Sequence, residues 1–241
     1  ADLLVGADGV NSMVRRSLAE RLQPRIRYLT NKFAWYGTTK AFDCLTLTFR
    51  ESEHGHFVAH HYRYAPGMST FIVECDAATW YRAGLDRASE EESRAYCERV
   101  FGPDLDGHPL VSNRSIWRNF PLLWTPRWIA DNIVLIGDAV RTGHFSIGSG
   151  TRLAMEDAIA LVKALSQNLS LEESLASFEA ARRPIVEKLV AAADASGAWY
   201  ERFPEHMKLA PRQFAWSYIQ RSGRIDPERL RKTSPRFVDG K

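Results

Sequence analysis

One segment of the sequence combines a strand, a glycine-rich turn and the start of a helix, and it constrains the fold more than any other. Residues 133–136 read Ile-Val-Leu-Ile, which is typical of a buried strand, and Gly137-Asp138 ends this apolar run. Ligands of open α/β sheets bind at the carboxyl ends of strands, where the first N–H groups of a helix attract anions. The sequence therefore predicts an α/β fold with a ligand site at this turn. The backbone groups expected to form the site belong to Gly148, Ser149, Gly150 and Thr151.

A second segment of the same kind opens the chain. The apolar residues 3–5 predict a strand that ends at Gly6, and Asp8-Gly9 follows it. Ser12 is a typical helix-starting residue. The two segments thus place two carboxylates in turns that follow strands.

Taken together, these segments resemble the flavoprotein aromatic hydroxylases, the single-component FAD monooxygenases of the para-hydroxybenzoate hydroxylase type. Asp8-Gly9 matches the Asp-Gly motif of that family, and Gly137-Asp138 matches its Gly-Asp motif. Other positions in step with the family pattern are Gly148, Gly150, Asp157 and Ala158. The departures are Arg141, Phe145 and Arg152, which stand where the family usually has His, Pro and Asn.

Residues 144–160 are similar to the hydroxylases that act on aromatic acyl-CoA thioesters, such as salicylyl-CoA 5-hydroxylase and 2-aminobenzoyl-CoA monooxygenase. The likeness continues at residues 35–38, 69–75, 178–184 and 234–237, and so covers essentially the whole chain. It implies FAD as cofactor, NAD(P)H as reductant, and oxygen transfer from a C4a-hydroperoxyflavin to an aromatic ring in aromatic compound catabolism. It also implies a small aromatic substrate, which we expect to be a CoA thioester.

The resemblance assigns cofactor roles to both turns. Asp138 would accept a hydrogen bond from the ribityl chain of FAD, and the glycine-rich backbone would approach the flavin ring and the pyrophosphate. The alternatives are that Asp138 caps the following turn and that Asp8-Gly9 is an ordinary turn. The expected cofactor-binding residues are Asp8, Gly9, Gly137, Asp138, Gly148, Ser149, Gly150 and Thr151.

His144 is the candidate catalytic residue, because it lies in the loop that passes between flavin and substrate in this family. A loop histidine bonded to a backbone carbonyl is the equally weighted alternative. The neighbouring Phe145 is a candidate substrate contact. His60 and Tyr62, which share one face of a strand, are further candidates, although the sequence leaves open which face covers the substrate.

Two arginines, Arg141 and Arg152, flank the cofactor loop. A guanidinium forms strong charge-assisted hydrogen bonds with phosphate oxygens. The two side chains therefore either neutralise phosphates of FAD or CoA, or are solvated charges at helix ends.

Composition argues against several other classes of protein. The net charge is only +3, with 32 Lys and Arg against 29 Asp and Glu, and no basic and aromatic stripe suggests a nucleic-acid partner. Three cysteines without metal or disulfide spacing predict reduced thiols in a cytoplasmic protein, and no apolar run suggests a membrane span. The histidines at 54–61 lack partners at ligand spacing, so no metal site is expected. The oligomeric state is left open.

The remaining pattern predicts a mixed α/β (α+β) fold. We expect a partial FAD-binding Rossmann-like domain in residues 1–24 and 128–203, an inserted antiparallel-sheet substrate domain in residues 25–127, and C-terminal helices in residues 204–241. Strands are predicted at residues 45–49, 56–64, 69–75 and 113–124. Helices are predicted at residues 89–101, where Ser89 and Glu92 have the spacing of a capping box, at 150–167, at 170–202 with an interruption at Pro184, and at 211–221.

A complete member of the resembled family would begin with a strand, Gly-x-Gly-x-x-Gly and a helix that holds the FAD pyrophosphate, and none of these precedes Asp8. We therefore expect this chain to be the carboxyl-terminal portion of a longer enzyme, short by about one hundred residues and inactive alone. One rival interpretation is a non-catalytic interaction or regulatory module on a flavoprotein scaffold. Another is a flavin-dependent dehydrogenase or reductase without oxygenation.

Overall fold

The chain forms two compact units, seen in a computed structural model that describes residues 1–239. The first unit contains residues 1–28, 121–199 and 215–239, and the second contains residues 29–120 and 200–214. Each unit combines a sheet with helices, so the predicted mixed fold is confirmed. Among the described residues, no helix combines the length and the apolar character that crossing a membrane requires.

The secondary structure elements are numbered in chain order. The strands are β1 (Leu4–Gly6), β2 (Arg25–Thr38), β3 (Thr46–Ser52), β4 (Gly55–Ala65), β5 (Met68–Cys75), β6 (Leu110–Val111), β7 (Arg118–Trp124), β8 (Ile129–Ala130) and β9 (Ile133–Leu135). The helices are α1 (Met13–Ser17), α2 (Ala19–Leu22), α3 (Ala77–Arg82), α4 (Glu90–Val100), α5 (Gly102–Leu105), α6 (Gly150–Leu165), α7 (Leu171–Tyr200), α8 (Phe203–His206), α9 (Pro211–Gln220), α10 (Pro227–Thr233) and α11 (Pro235–Asp239). Short 3₁₀ turns lie at Gly137–Ala139 and Phe145–Ile147.

The sheet of the first unit is small and partly parallel. β1 pairs in parallel with β9, which pairs antiparallel with β8. The core between this sheet and the helices contains Trp128, Leu135 and Phe178, each at most 1% exposed. Because β1 and β9 run in the same direction, the turns that follow them lie at the same edge of the sheet.

The second unit is built on an antiparallel sheet with the strand order β3-β4-β5-β2-β6, and β7 also pairs with β2. Tyr36, Phe57 and Phe71 belong to the face that packs in the core, together with Phe101 of the helical segment. Residues that alternate with these in sequence lie on the opposite face, which we call the second face. The register aligns Trp35 of β2 with Ile72 of β5 and His60 of β4 across this face.

Helix α4 begins as the sequence predicts. The Ser89 hydroxyl accepts a hydrogen bond of 3.2 Å from the Glu92 N–H, and the Glu92 carboxylate accepts one of 2.8 Å from the Ser89 N–H. This reciprocal pair satisfies two N–H groups that a helix leaves without intrahelical partners. The capping box at Ser89 is therefore confirmed.

The predicted interruption at Pro184 is wrong, because helix α7 continues through this residue. A proline inside a helix removes one hydrogen bond and costs about 3 kcal/mol. Buried side chains on both sides of the proline offset this cost, since Phe178 is 1% exposed and Val186 is 0% exposed. Tertiary packing therefore overrides the local helix-breaking tendency.

The strand predicted at residues 113–124 begins only at Arg118, and residues 112–117 form a loop. The Ser115 hydroxyl donates a hydrogen bond of 2.6 Å to the Trp35 carbonyl, and the Ser115 N–H donates one of 2.8 Å to the Glu90 carboxylate. Arg114, with φ of 54°, adopts a left-handed conformation that is incompatible with a strand. Contacts with distant residues therefore fix the loop.

Candidate functional site

The two predicted turns lie together at one edge of the first unit's sheet. Gly6 is aligned with Leu135 in the parallel pair, so Asp8 and Asp138 follow neighbouring strand ends. Arg15 connects the turns: its guanidinium donates to the carbonyl of Ala139 at 2.8 Å and to the carbonyl of Val10. This arginine is 2% exposed, so it is a buried side chain that bonds to both turns and not a surface charge.

Asp138 lies in the 3₁₀ turn directly after β9, and its surface is exposed. Neighbouring protein atoms partly desolvate the carboxyl and raise the pKa of Asp138, while the nearby Arg141 charge opposes this rise. The turn has no side-chain cap, so Asp138 is not the cap that the alternative interpretation required. Its carboxylate is therefore available to a ligand.

The conformation of this turn depends on Asp157, which is 0% exposed. Its carboxylate accepts hydrogen bonds from the Gly137 N–H at 3.1 Å, from Arg141 at 2.7 Å and from Arg182 at 3.0 Å. Gly137 has φ of 62°, and a Cβ at this position would lie 3.2 Å from the Cβ of Ala154. Helix α6 thus packs closely against the turn, and the buried carboxylate fixes both.

Arg141 has neither of the two roles that the sequence predicts for it. Its guanidinium is 2% exposed and donates to the Gly137 carbonyl at 2.6 Å as well as to Asp157. It is neither a solvated charge nor a side chain free to bind phosphate. Arg152 is exposed and lies 3.5 Å from Glu156, in the manner of an ordinary surface ion pair.

The N-terminus of α6 has the features of an anion site. The first N–H groups of a helix have no intrahelical acceptors, and the Ser149 side chain makes no capping hydrogen bond here. Gly148 has φ of 61° and Gly150 begins the helix; a Cβ at either position would meet open space. Asp138, His144, Ser149 and Gly150 line one depression of this surface. A carboxylate acceptor beside unshielded N–H donors fits a ligand that carries both hydroxyl and phosphate groups, as FAD does.

Asp8 is exposed and caps helix α1. Its carboxylate accepts hydrogen bonds from the N–H groups of Met13 at 2.6 Å and Val14 at 3.3 Å. Slight burial raises the pKa of Asp8, but bonds to Ser12 and to these N–H groups outweigh it, and the net effect is a lower pKa. Gly9, with φ of 77°, provides the left-handed residue of the turn. Asp8-Gly9 thus forms a turn, as the alternative interpretation expects, and the Asp8 carboxylate also caps α1.

His144 is 2% exposed, so protein atoms surround its ring. Its Nδ1 lies 2.8 Å from the Ser146 hydroxyl, which lies 2.7 Å from the Ser196 hydroxyl. The ring also stacks on Phe145, with centroids 4.3 Å apart. The partner at Nδ1 is therefore a serine hydroxyl.

The second unit separates the histidines of β4. His61 is 2% exposed, lies 3.0 Å from the Thr48 hydroxyl and stacks against Phe71 in the core. Desolvation lowers the pKa of His61 to about 4. His60 and Tyr62 lie on the second face, with ring centroids 6.1 Å apart. The two histidines of β4 are therefore on opposite faces of the sheet.

The sequence did not predict that Arg15 and Arg182 are buried and bond to other segments. Nothing in a single sequence separates a buried arginine from a surface one, because burial is decided by distant segments. Asp157 is different: its match to the family pattern marks the position, although not its partners. No three His, Cys, Asp or Glu side chains of residues 1–239 come together as a metal site requires.

The chain has similar proteins of known name. Residues 1–193 match the family described as FAD binding domain. Over 232 residues the chain is 43% identical to salicyloyl-CoA 5-hydroxylase of Streptomyces sp, covering 92% of this chain and 45% of that protein. Over 227 residues it is 42% identical to protodeoxyviolaceinate monooxygenase of Chromobacterium violaceum, covering 94% and 61%. Over 204 residues it is 39% identical to 3-hydroxy-4-methyl-anthranilyl-(aryl-carrier protein) 5-monooxygenase of Streptosporangium sibiricum, covering 85% and 54%. The chain thus spans about half the length of the curated relatives it matches.

Solved structures share the fold. PqsL of Pseudomonas aeruginosa, crystallised with 2-aminobenzoylacetate, superimposes with a TM-score of 0.65 at 23% identity, covering 91% of this chain and 59% of that one. The tetrameric form of 2-methyl-3-hydroxypyridine-5-carboxylic acid oxygenase gives a TM-score of 0.61 at 17% identity, covering 95% and 60%. At these identities the likeness establishes the fold alone.

Proposed function

The chain belongs to the FAD binding domain family, and on that premise we propose that the protein is an FAD-dependent aromatic monooxygenase whose substrate is an aryl thioester. The observation that carries the proposal is the exposed Asp138 carboxylate beside the uncapped N-terminus of α6. In this proposal the first unit binds the cofactor and the second unit binds the substrate.

Bound FAD would supply the redox chemistry, taking a hydride from NAD(P)H and delivering one oxygen atom of O₂ to the aromatic ring. The chain's own residues would bind and orient it. Asp138 would accept a hydrogen bond from a cofactor hydroxyl, and the N–H groups at Gly150 and Thr151 would stabilise anionic oxygens. The absence of side chains at Gly148 and Gly150 would allow the cofactor to approach the backbone. Asp8, Gly9, Gly137 and Ser149 complete the proposed cofactor set.

The proposed substrate contacts are His144 and Phe145 within the first unit and, separately, His60 and Tyr62 within the second unit. The Ser146 hydroxyl fixes the orientation of His144 through Nδ1, so the ring acts with a defined geometry. The thioester substrate is supported by relatives named for a CoA thioester and for an aryl-carrier-protein thioester. The free thiols Cys44, Cys75 and Cys97 favour a reducing compartment, and cytoplasmic localisation remains a prediction.

The cofactor assignment predicts that Asp138→Ala lowers FAD retention by the holoenzyme about tenfold or more, because a charge-assisted hydrogen bond contributes about 1.5–3 kcal/mol. The ratio of flavin to protein absorbance after dialysis measures the retention. Because Asp138 is exposed, its loss should change the free energy of unfolding by less than about 0.5 kcal/mol.

The matched variant is His144→Ala, because His144 is assigned to the substrate whereas Asp138 is assigned to the cofactor. It should retain FAD and lose turnover. Equal loss of flavin in both variants would show that the division into cofactor and substrate residues is wrong.

The substrate assignment predicts that the CoA thioesters of salicylate or anthranilate have kcat/KM at least about a hundredfold above the free acids. Remote binding energy from the thioester arm would position the ring, so kcat should fall along with affinity for the free acids. Oxygen consumption coupled to formation of hydroxylated product, with NADH and NADPH compared, measures both constants. Comparable values for acid and thioester would remove the thioester substrate, and NAD(P)H oxidation without hydroxylated product would favour the reductase interpretation.

A further inference from the structure

A cleft of about 780 Å³ lies in the second unit, and none of its lining residues belongs to the proposed cofactor and substrate sets. This volume is within the range of about 300–1,000 Å³ that is usual for small-molecule sites. Its apolar lining includes Trp35, Tyr64 and Ile116, which are 46%, 61% and 55% exposed. Large apolar side chains so exposed and so close together favour a ligand-binding surface.

Two arginines, Arg114 and Arg118, also line the cleft, and both are exposed. Within residues 1–239 neither guanidinium has a carboxylate at salt-bridge distance. Arg94 of the same unit, by contrast, binds Glu91 at 2.7 Å and Glu98 at 2.9 Å. A guanidinium without an acidic partner is well suited to binding a phosphate, often through two hydrogen bonds.

The loop that carries Arg114 is held in an unfavourable conformation. Arg114 has φ of 54°, a region that residues with a side chain rarely adopt. The bonds from Ser115 to Trp35 and Glu90 hold the loop there, 2.6 and 2.8 Å long. Backbone strain that distant contacts maintain is frequent where a residue clamps a ligand.

We propose that this cleft binds the 4′-phosphopantetheine arm of the thioester substrate, with the arm against Trp35, Tyr64 and Ile116 and its phosphate at Arg114 and Arg118. The arm has an apolar and amide chain that ends in a phosphate, which matches an apolar cleft with two unpaired cations. CoA and carrier proteins share this arm, and relatives are named for each type of thioester. The inference rests on the proposed thioester substrate and adds the residues that recognise its carrier.

The test is calorimetric titration of the full chain with 4′-phosphopantetheine, pantetheine and CoA. 4′-Phosphopantetheine should bind about tenfold or more tightly than pantetheine, because only the former offers the phosphate. Arg114→Gln and Arg118→Gln should each remove most of this difference and leave pantetheine binding unchanged. The control is Arg87→Gln, since Arg87 is an exposed arginine of the same unit outside the cleft.

A second variant, Arg114→Gly, separates binding from folding. Glycine adopts a positive φ without strain, so this variant should have an unchanged or higher Tm. It should nevertheless lose the preference for the phosphorylated ligand. A lower Tm together with retained preference would assign Arg114 to structure and overturn the proposal.

The ligands also distinguish the two sources of the arm. CoA binding at least about tenfold tighter than phosphopantetheine would indicate a free CoA thioester, and equal affinities would indicate a carrier protein; either result supports the cleft. Failure to bind phosphopantetheine at about 1 mM would overturn the proposal. Equal binding by the wild type and by the double variant Arg114→Gln, Arg118→Gln would also overturn it. Thioester-specific turnover with unaffected arginine variants would remove this assignment and leave the proposed function standing.

Discussion

Replacing Asp157 with alanine is expected to lower the free energy of unfolding of the first unit by about 3–5 kcal/mol, the cost of breaking a buried ion pair by removing one partner. The variant leaves Arg141, which is 2% exposed, without its carboxylate, and leaves Arg182, which is 5% exposed, with only the Glu156 carboxylate at 3.1 Å. It also leaves the Gly137 N–H without its acceptor at 3.1 Å. A shift of the urea midpoint at constant m-value measures the effect.

The matched control is Asp131→Ala. Asp131 also binds an arginine, Arg21, through two bonds of 2.6 and 2.8 Å, but the two side chains are 71% and 50% exposed. An exposed pair contributes little to stability because water screens both charges, so this variant should unfold almost like the wild type. Equal destabilisation by the two substitutions would contradict the structural role of Asp157. Because Asp157 fixes the turn at Gly137, its loss should also weaken FAD binding in the holoenzyme.

Stability of the second unit should fall as pH rises toward 8, because of Glu74. Its carboxyl is 3% exposed and accepts a hydrogen bond of 2.8 Å from Asn31. Burial raises the pKa of Glu74 to about 8, from an ordinary value of 4.5, and the charge of Glu201 adds to the rise. The folded state therefore holds a proton that the unfolded chain releases between these pH values, and stability is lost over this window by up to about 1.4 kcal/mol per pH unit.

Glu74→Gln replaces the titrating group with a neutral amide that can still accept the bond from Asn31. The variant should lose the slope and be more stable than the wild type at pH 8 by several kcal/mol, about the size of the removed penalty. His61, with a folded pKa of about 4, acts in the opposite direction below about pH 6.5. Urea unfolding of both proteins between about pH 6.5 and 8 isolates Glu74. Parallel pH profiles would refute this account.

Local signals were enough to predict the elements that carry the candidate site. Each of these signals involves residues only a few positions apart: the apolar run before Gly137, the glycines before α6 and the capping box at Ser89. Such patterns act through backbone conformation and nearest neighbours, so they can be interpreted in one sequence. The family resemblance gave the expected ligands of the site, FAD and an aromatic substrate.

Local sequence patterns failed to predict the structure where contacts with distant segments determine it. β2, a strand of 14 residues, is absent from the prediction because its polar and apolar residues do not alternate clearly. The loop before β7 is fixed by Ser115 and its contacts with Trp35 and Glu90, which lie 80 and 25 residues away. Pro184 remains helical because Phe178 and Val186, on either side of it, are buried.

The sequence by itself determined that a carboxylate and a glycine-rich backbone follow a buried strand, since glycine conformations and apolar runs are properties of adjacent residues. Only the tertiary structure decided which charged side chains are buried and which stay exposed. Arg141 and Asp157 are buried against each other, Asp138 stays exposed, and Asp8 caps a helix. The physical reason is that the free energy of a charged side chain depends on desolvation and on partners supplied by other segments, and neither is encoded near that residue in the chain.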